Sequence, residues 1–300
     1  MEETAMSNKK SGRIAVPFLI TIFIGLIIVG GAALFIYNYF GFGKEEKPSK
    51  PPERTASTAT YEDSHTVLFI LDVPEEKCSA TYVLMRSVPK EKKLLFVGIP
   101  SNTIAIVDGK QASLADSYAR GGASSAVNFS EQALGVSIDR YMTFSSEAFQ
   151  KLCDIVGGVS YTVTVDIGGM EKNKEQYLIG SKIQKLITYP LYSKGEQERA
   201  YTASSIISSM INQADGPRLA SNLDGSFNTI INMATSDITS VDYKNRKNGI
   251  KDMLNNGTTI SRFRILEGEE NSGEFIIDKD ACRSMVDEYF NDSEEASENE

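Results

Sequence analysis

Histidine and cysteine, which serve most often in zinc sites and as the base or nucleophile of catalytic triads, are scarce in this 300-residue chain. The only histidine is His65, and the three cysteines are Cys78, Cys153 and Cys282. None of the four lies in a CxxC or HExxH pattern, and three thiols do not make a disulfide framework. A histidine-based catalytic triad is also unsupported, because His65 lies in a linker-like stretch. Any chemistry must therefore use carboxylates, hydroxyls, arginine or lysine.

The charge balance excludes one class of partner. The chain has 40 acidic and 31 basic side chains, a formal net charge of −9 and no long Lys/Arg stripe. A surface that neutralises nucleic-acid phosphates needs a local basic excess, so DNA and RNA are excluded as partners. The apolar content of 41% is enough for a globular core.

An N-terminal segment is predicted to anchor the chain in a membrane. No charged residue occurs from Ile14 to Gly43, and this run is too apolar for a helix exposed to water. We predict a transmembrane helix over residues 14–40. A cleaved signal peptide is the alternative, since Gly31-Ala32-Ala33 resembles a cleavage site. Basic residues flank both ends, so the positive-inside rule leaves the orientation undecided.

The remaining boundaries follow from composition. Residues 41–64 are rich in Pro, Ser, Thr, Lys and Glu and are typical of a stalk. Residues 291–300 are predicted to be a disordered acidic tail. Residues 65–240 are predicted to form the main domain, with a C-terminal extension at 241–290 packed on it.

Strand and helix patterns alternate along the main domain. Apolar runs at 67–71, 82–85 and 94–99 predict buried strands, and the turn at 89–93 makes the last two a hairpin. Helices are predicted after Ser145, over 197–213, over 219–235 and behind Asp278, with Cys153 and Cys282 as buried thiols. The pattern indicates an α/β fold with a mixed central sheet covered by helices on both faces.

Several of these segments resemble the LytR-CpsA-Psr family of cell-envelope proteins. The similarity is collinear over about a hundred residues, resumes more weakly downstream and covers most of the folded domain. The family layout is a short cytoplasmic N-terminus, one transmembrane helix and an extracytoplasmic α/β domain. By this layout, the resemblance implies that residues 1–13 of this chain are cytoplasmic. The segments that carry it are TVLFIL (66–71), CSATYVLMRSVPKEKKLLFVGIPSNT (78–103), SLADSYARGG (113–122), EQALGVSIDRYMTFSSEAFQKLCDIVGGVSYTV (131–163), GEQERAY (195–201) and DGPRLASNLDGSFNTIIN (215–232).

The resemblance implies a site that binds polyprenyl-linked pyrophosphate and, with Mg²⁺, transfers a phosphorylated glycopolymer to a peptidoglycan hydroxyl. Carboxylates would hold the cation, guanidiniums would bind the pyrophosphate oxygens, and an apolar groove would hold the lipid. Most of the charged family positions carry other residues here. Arg218 alone matches, as a phosphate-binding candidate, and Asp72 and Asn102 are weak metal candidates. The substituted positions are Cys78, Ala80, Ser101, Asn102, Ala203, Ser205, Ser221 and Asn222.

Three functions remain open. The first is a catalytically degenerate member that binds a polyprenyl-phosphate lipid, a glycopolymer precursor, an active paralogue or another envelope partner. The second is an Mg²⁺-dependent phosphotransferase whose site is rebuilt from other charged residues. The third is a single-pass sensor, which the short inner tail disfavours. The charged residues available for rebuilding are Asp72, Glu75, Glu76, Asp108, Asp116, Arg86, Arg120 and Arg140.

Overall fold

The computed structural model describes residues 59–257 and 259–291. The predicted cytoplasmic tail, the transmembrane helix at 14–40 and most of the stalk lie outside the described residues, as does almost all of the acidic tail. Within the two described ranges, none of the helices combines the length and the apolar character that crossing a bilayer requires.

A six-stranded sheet forms the centre of the domain. Its strands are β1 (His65–Leu71), β2 (Thr81–Val88), β3 (Lys93–Ile99), β6 (Arg140–Phe144), β9 (Thr235–Ser236) and β10 (Ser261–Ile265). They lie side by side in the order β10-β3-β2-β1-β6-β9. β1 pairs in parallel with β6, and β3 pairs in parallel with β10, whereas the other neighbours are antiparallel. The prediction of a mixed sheet is therefore confirmed.

Three small hairpins lie outside this sheet. They are β4 (Ile104–Val107) with β5 (Lys110–Ser113), β7 (Val159–Thr162) with β8 (Glu175–Leu178), and β11 (Gly268–Asn271) with β12 (Glu274–Ile277). β10 and the β11–β12 hairpin come from the predicted C-terminal extension, so this part of the chain contributes a strand to the main sheet.

Helices cover both faces of the sheet, as predicted. Alternate residues of β1 point to opposite faces, with Leu68 in one apolar cluster and Phe69 packed against the other. The first face is covered by α1 (Leu114–Leu134) and α8 (Lys279–Tyr289). The second cluster includes residues of α2 (Ser146–Val156), α3 (Gly180–Ile187), α4 (Gly195–Gln213), α5 (Gly216–Ser221), α6 (Leu223–Met233) and α7 (Ser240–Asn256).

Most of the predicted elements are confirmed. The three apolar runs form β1, β2 and β3, with the predicted hairpin between β2 and β3. Ser145 caps α2 by accepting from the Ala148 amide, and Asp278 caps α8. Cys153 and Cys282 are buried thiols, and burial raises the pKa of both.

The single helix predicted over 219–235 is wrong. The chain forms α5 and α6 instead, separated at Asn222, whose φ of −100° and ψ of 10° end the first helix and begin the second. The Asn222 side chain donates to the Arg218 carbonyl at 3.0 Å. An asparagine amide that bonds to a nearby backbone carbonyl competes with the helix hydrogen bonds and favours the end of a helix.

Strand directions bring several loops to one end of the sheet. Leu71 at the end of β1 pairs with Thr81 at the start of β2, and Tyr82 pairs with Ile99 at the end of β3. We call this the site end of the sheet. The loops that leave or enter the strands here carry the family-matched positions 72, 80, 101 and 102.

Helix α4 crosses the sheet from the site end to the opposite end. At its start it contacts β3 so closely that a Cβ on Gly98 would lie 2.0 Å from the Ala200 carbonyl oxygen. At its other end, Asn212 exchanges hydrogen bonds with the backbone of Ser261, which pairs with Leu94 near the start of β3. Glycine at position 98 is therefore required for α4 to lie on the strand.

Candidate functional site

A buried arginine that the sequence analysis did not single out lies at the centre of the site end. Arg199, in the second turn of α4, is 2% exposed. Its guanidinium donates to the carbonyl oxygens of Ser79 at 2.6 Å and Ala80 at 3.4 Å. It also donates to the Glu196 carboxylate, with 3.0 Å between Nε and Oε2. The arginine therefore links the loop before β2 to the first turn of α4.

Ser101 completes this group, which we call the Arg199 cluster: Arg199, Glu196, Ser101 and the carbonyls of Ser79 and Ala80. The Ser101 hydroxyl donates to Glu196 Oε2 at 2.6 Å and accepts from Arg199 at 3.3 Å. Every charge in the cluster is satisfied inside the protein, so the guanidinium is not available to a bound anion. The spacing of Glu196 and Arg199 by three residues in a helix was the sequence signal for this pair.

A polar pocket of about 490 Å³ lies in front of the Arg199 cluster. Its walls come from the turn after β3, the β4–β5 hairpin, the start of α1 and the β11–β12 hairpin. No lysine or arginine is among the described residues that line it. Such a pocket repels a pyrophosphate group. The carboxylates that line it are Asp116, Glu196, Glu270 and Glu274.

Asn102 and Asp72, the weak metal candidates, are both engaged by the protein. The Asn102 amide donates to Glu270 at 3.3 Å and to the Gly273 carbonyl at 3.0 Å, while its buried Oδ1 has no hydrogen-bond partner among the described residues. Asp72 accepts from the Tyr118 hydroxyl at 2.8 Å, and burial together with this contact raises the pKa of Tyr118.

The residues of the site end do not suit the Mg²⁺ that the family resemblance implies. In the part of the chain that the structure describes, no three His, Cys, Asp or Glu side chains are grouped so that they could hold a metal ion. Asn102 supplies a neutral oxygen, and the carboxylates of Asp72 and Glu196 already accept hydrogen bonds from Tyr118 and Arg199. The site therefore does not fit a hard divalent cation, which needs several converging charged oxygens.

The positions that match the family's Arg-x-Arg pair lie inside the core. Ala203 is fully buried in the second apolar cluster, and Ser205 is 5% exposed. The Ser205 hydroxyl lies 2.9 Å from the Tyr161 hydroxyl, which occupies the adjacent space. Neither position offers a charge or an open surface to a phosphate.

Arg218, the phosphate-binding candidate, lies away from the family-matched positions 72, 101 and 102. It is exposed and donates to the carbonyl oxygens of Ile155 and Val156, both at 3.0 Å, at the C-terminal end of α2. Basic side chains commonly stabilise the last carbonyls of a helix in this way. Arg218 follows the far end of α4, whose 19 residues span roughly 28 Å from the site end. The structure does not bring it together with positions 72, 101 and 102.

The other charged candidates are distributed over the domain. Asp116 lines the polar pocket, whereas Arg140 forms a bidentate pair with Asp242 at 2.9 Å. Arg120 donates to the Asp116 carbonyl, and Asp108 accepts from Asn128 and Gln132. Arg86 pairs in register with Thr66, at the end of the sheet opposite the site end. Glu75 and Glu76 are exposed in the short turn after β1.

An apolar cavity of about 170 Å³ lies under α2 and α4 on the second face of the sheet. Its floor is formed by β1, β2, β3 and β6. The lining is almost entirely apolar, and the hydroxyl of Thr81 is satisfied by the Ile187 carbonyl at 2.9 Å. Side chains that line it include Phe69, Val83, Phe96, Phe144, Phe149, Leu152, Ile207 and Met210.

Comparisons with known proteins agree with this architecture. The LytR_cpsA_psr family model matches residues 43–288. Biofilm regulatory protein A of Streptococcus mutans is 25% identical in an alignment of length 211 that covers 58% of this chain and 52% of that protein. The polyisoprenyl-teichoic acid–peptidoglycan teichoic acid transferase TagU of Bacillus mycoides is 29% identical in an alignment of length 150 that covers 45% of this chain and 49% of TagU. The matches thus span about half the length of these curated relatives.

Solved structures share the fold at lower sequence identity. A protein from Eubacterium siraeum has a TM-score of 0.69 and 22% identity, covering 82% of this chain and 98% of that one. Bacillus subtilis TagV has a TM-score of 0.60 and 17% identity, covering 76% and 97%. Because the family model covers most of the chain, including the strands and loops of the site end, this protein belongs to the LytR-CpsA-Psr family.

Proposed function

We propose that this protein is a membrane-anchored, catalytically degenerate LytR-CpsA-Psr member that binds the isoprenoid chain of a polyprenyl-linked cell-wall precursor. In this proposal residues 14–40 span the membrane once, residues 1–13 are cytoplasmic and the folded domain is extracytoplasmic. The protein holds the lipid in the apolar cavity and does not transfer its phosphorylated group. The domain acts by binding, either to the precursor or to active members of the same family.

The observation that supports this proposal is the contrast between the cavity and the polar pocket. An isoprenoid chain has only apolar surface, and an apolar cavity without unsatisfied polar groups suits it. The pocket presents four carboxylates, and the buried guanidinium of Arg199 beside it is paired with Glu196. A pyrophosphate needs the opposite sign of charge.

The names of the relatives support the class of ligand. TagU is named for polyisoprenyl-linked teichoic acid and its transfer to peptidoglycan. Binding of a polyprenyl-linked precursor requires only the apolar part of such a site. Transfer would require charged groups that positions 80, 101, 102, 203 and 205 do not supply here.

The test is binding of geranylgeranyl pyrophosphate to the full-length protein in detergent micelles, with Mg²⁺ and with EDTA. We expect saturable binding whose dissociation constant changes by less than about twofold between the two conditions, because in this proposal no bound metal ion contributes to it. Ile207→Trp, which fills the cavity from a partly buried position, should weaken binding at least about tenfold. Ile106→Trp, at a side chain that is 72% exposed, is the matched control and should bind normally.

Two results would contradict the proposal. Binding that requires Mg²⁺, or Mg²⁺-dependent release of phosphate from the probe, would revive the alternative of an active phosphotransferase with a rebuilt site. Equal binding by the wild type and a folded Ile207→Trp variant would show that the cavity is not where the chain binds.

A further inference from the structure

A second cleft lies between α6 and α7, away from the apolar cavity. Its volume is about 590 Å³, within the range of pockets that hold small ligands. The two helices and the segment that joins them supply its walls. The cleft and the apolar cavity have no lining residue in common.

Two stacked aromatic rings form the apolar part of the cleft. The rings of Phe227 on α6 and Tyr243 on α7 are nearly parallel, with an interplanar angle of 7° and 4.0 Å between centroids. Ile231 and Ile238 continue this apolar surface. The electron-rich faces and apolar bodies of aromatic rings attract the C–H groups of a carbohydrate or polyol.

Polar side chains line both walls of the cleft. On α6, Asp224, Asn228 and Asn232 follow one another at intervals of four residues and therefore lie on one side of the helix. On α7, Lys244 and Lys247 lie on the opposite wall. The side chains of Asn228, Asn232 and Lys244 are exposed and make no hydrogen bond or ion pair with any described residue.

One carboxylate fixes the geometry of the cleft. Asp224 accepts from the Tyr243 hydroxyl at 2.5 Å and from Lys247 at 2.6 Å. The hydrogen bond from Lys247 lowers the pKa of the Asp224 carboxyl most, and the hydrogen bond from Tyr243 lowers it further. Tyr243 and Lys247 are therefore held in place before any ligand binds, which reduces the ordering that binding requires.

We propose that this cleft binds a polyhydroxylated ligand that carries a phosphate group, with the sugar or polyol on the Phe227–Tyr243 pair. The amides of Asn228 and Asn232 donate to and accept from hydroxyl groups. Lys244 pairs with the phosphate, since none of the described carboxylates pairs with it. Two lysines and one carboxylate make the cleft locally positive on a chain whose formal net charge is −9. This site is additional to the proposed lipid-binding function and does not depend on it.

The probe is glucose 6-phosphate, titrated into the full-length protein in detergent micelles and observed by saturation-transfer NMR. We expect saturable binding with a dissociation constant of about 1 mM, and binding of glucose about tenfold weaker. Lys244→Gln should weaken binding of glucose 6-phosphate about tenfold and leave glucose unchanged. Asn228→Ala should weaken both sugars. Lys279→Gln, at an exposed lysine on α8, is the matched control and should bind like the wild type.

Three results would overturn this proposal. They are the absence of saturable binding, binding of inorganic phosphate as tight as that of glucose 6-phosphate, and unchanged binding in Lys244→Gln. All of the variants should still bind geranylgeranyl pyrophosphate as the wild type does. Failure of the cleft is thus distinguishable from failure of the apolar cavity.

Discussion

The polar pocket and the apolar cavity use the same strands in different ways. The cavity is formed by strand side chains such as Phe69 and Val83, whose inward direction is set by the two-residue period of a strand. The pocket is formed by the loops that follow the strands and by the hairpins near them. Loops can change their charge without changing the strand faces. A domain of this fold can therefore keep an apolar site while its charged site is replaced.

The largest effect is expected when the internal ion pair of the polar region is broken. Glu196→Gln leaves the buried Arg199 guanidinium without its counter-charge and should lower the free energy of unfolding by about 4 kcal/mol. The double variant Arg199→Met/Glu196→Gln should recover most of this loss, because it removes the unpaired charge as well. Chemical denaturation monitored by circular dichroism measures the free energy of unfolding of the single and the double variant. Equal stability of the single and double variants would show that the pair is not a coupled unit.

The corresponding change in the apolar region is Met210→Ala. Met210 is 2% exposed and lines the cavity, so the truncation should lower the free energy of unfolding by about 3 kcal/mol. Geranylgeranyl pyrophosphate should still stabilise the variant, since the cavity remains apolar. The matched control is Met233→Ala, at a partly buried methionine of α6 outside the cavity, and its loss should be smaller. A larger loss in the control would contradict the assignment of Met210 to the cavity wall.

Arg218→Ala distinguishes a structural role for this arginine from a phosphate-binding one. Loss of its two hydrogen bonds to the end of α2 should lower the free energy of unfolding by about 1 kcal/mol. Binding of geranylgeranyl pyrophosphate should be the same as in the wild type, because Arg218 is not a lining residue of the apolar cavity and contacts its wall only through the backbone carbonyl of Val156. Arg218→Lys should keep part of the stability. Weaker lipid binding with unchanged stability would indicate contact with the phosphate instead.

The smallest effect concerns His65, at the end of the sheet opposite the site end. Burial lowers the pKa of His65, and the nearby guanidiniums of Arg246 and Arg86 act in the same direction. The folded state therefore favours the neutral imidazole. Its contribution to stability is complete above the unfolded pKa of about 6.5 and is lost as the pH falls below it.

The measurement is urea denaturation at pH 7.5 and pH 5.5 for the wild type and His65→Gln. When the pH is lowered from 7.5 to 5.5, the free energy of unfolding of the wild type should fall by up to about 1 kcal/mol more than that of the variant. An equal loss in the two proteins would show that other groups account for the pH dependence.

The sequence patterns predicted the central strands and the helices α2, α4 and α8, but not the helices α1, α3 and α7 or the interior of the site. Continuous apolar runs predict β1, β2 and β3 because strands covered on both faces have no polar alternation. The break at Asn222 was missed, since the apolar residues on both sides keep a helical period. The amino-acid sequence shows directly that positions 203 and 205 carry no charge. The burial of Ala203 and Ser205, in contrast, depends on how α4 packs on the sheet.

The Arg199 cluster could not be predicted for a related reason. An arginine in a helix is ordinarily exposed. Arg199 is buried because Gly98, about a hundred residues earlier, allows α4 to approach β3. Likewise, the contact between Asp72 and Tyr118 requires α1 to pass over the end of β1. Such contacts depend on tertiary packing. The three-residue spacing of Glu196 and Arg199 indicates that the two can pair, but not that the pair is buried.

The Arg199 cluster also has a consequence for how the chain folds. The guanidinium contacts the Ser79 carbonyl, 120 positions earlier in the chain, so this contact closes a long loop. Arg199 can give up its hydration only when Glu196, Ser101 and the two carbonyls are already in place. Docking of α4 should therefore follow assembly of β1, β2 and β3. A folding intermediate with a formed sheet and an undocked α4 is the species to look for in refolding kinetics.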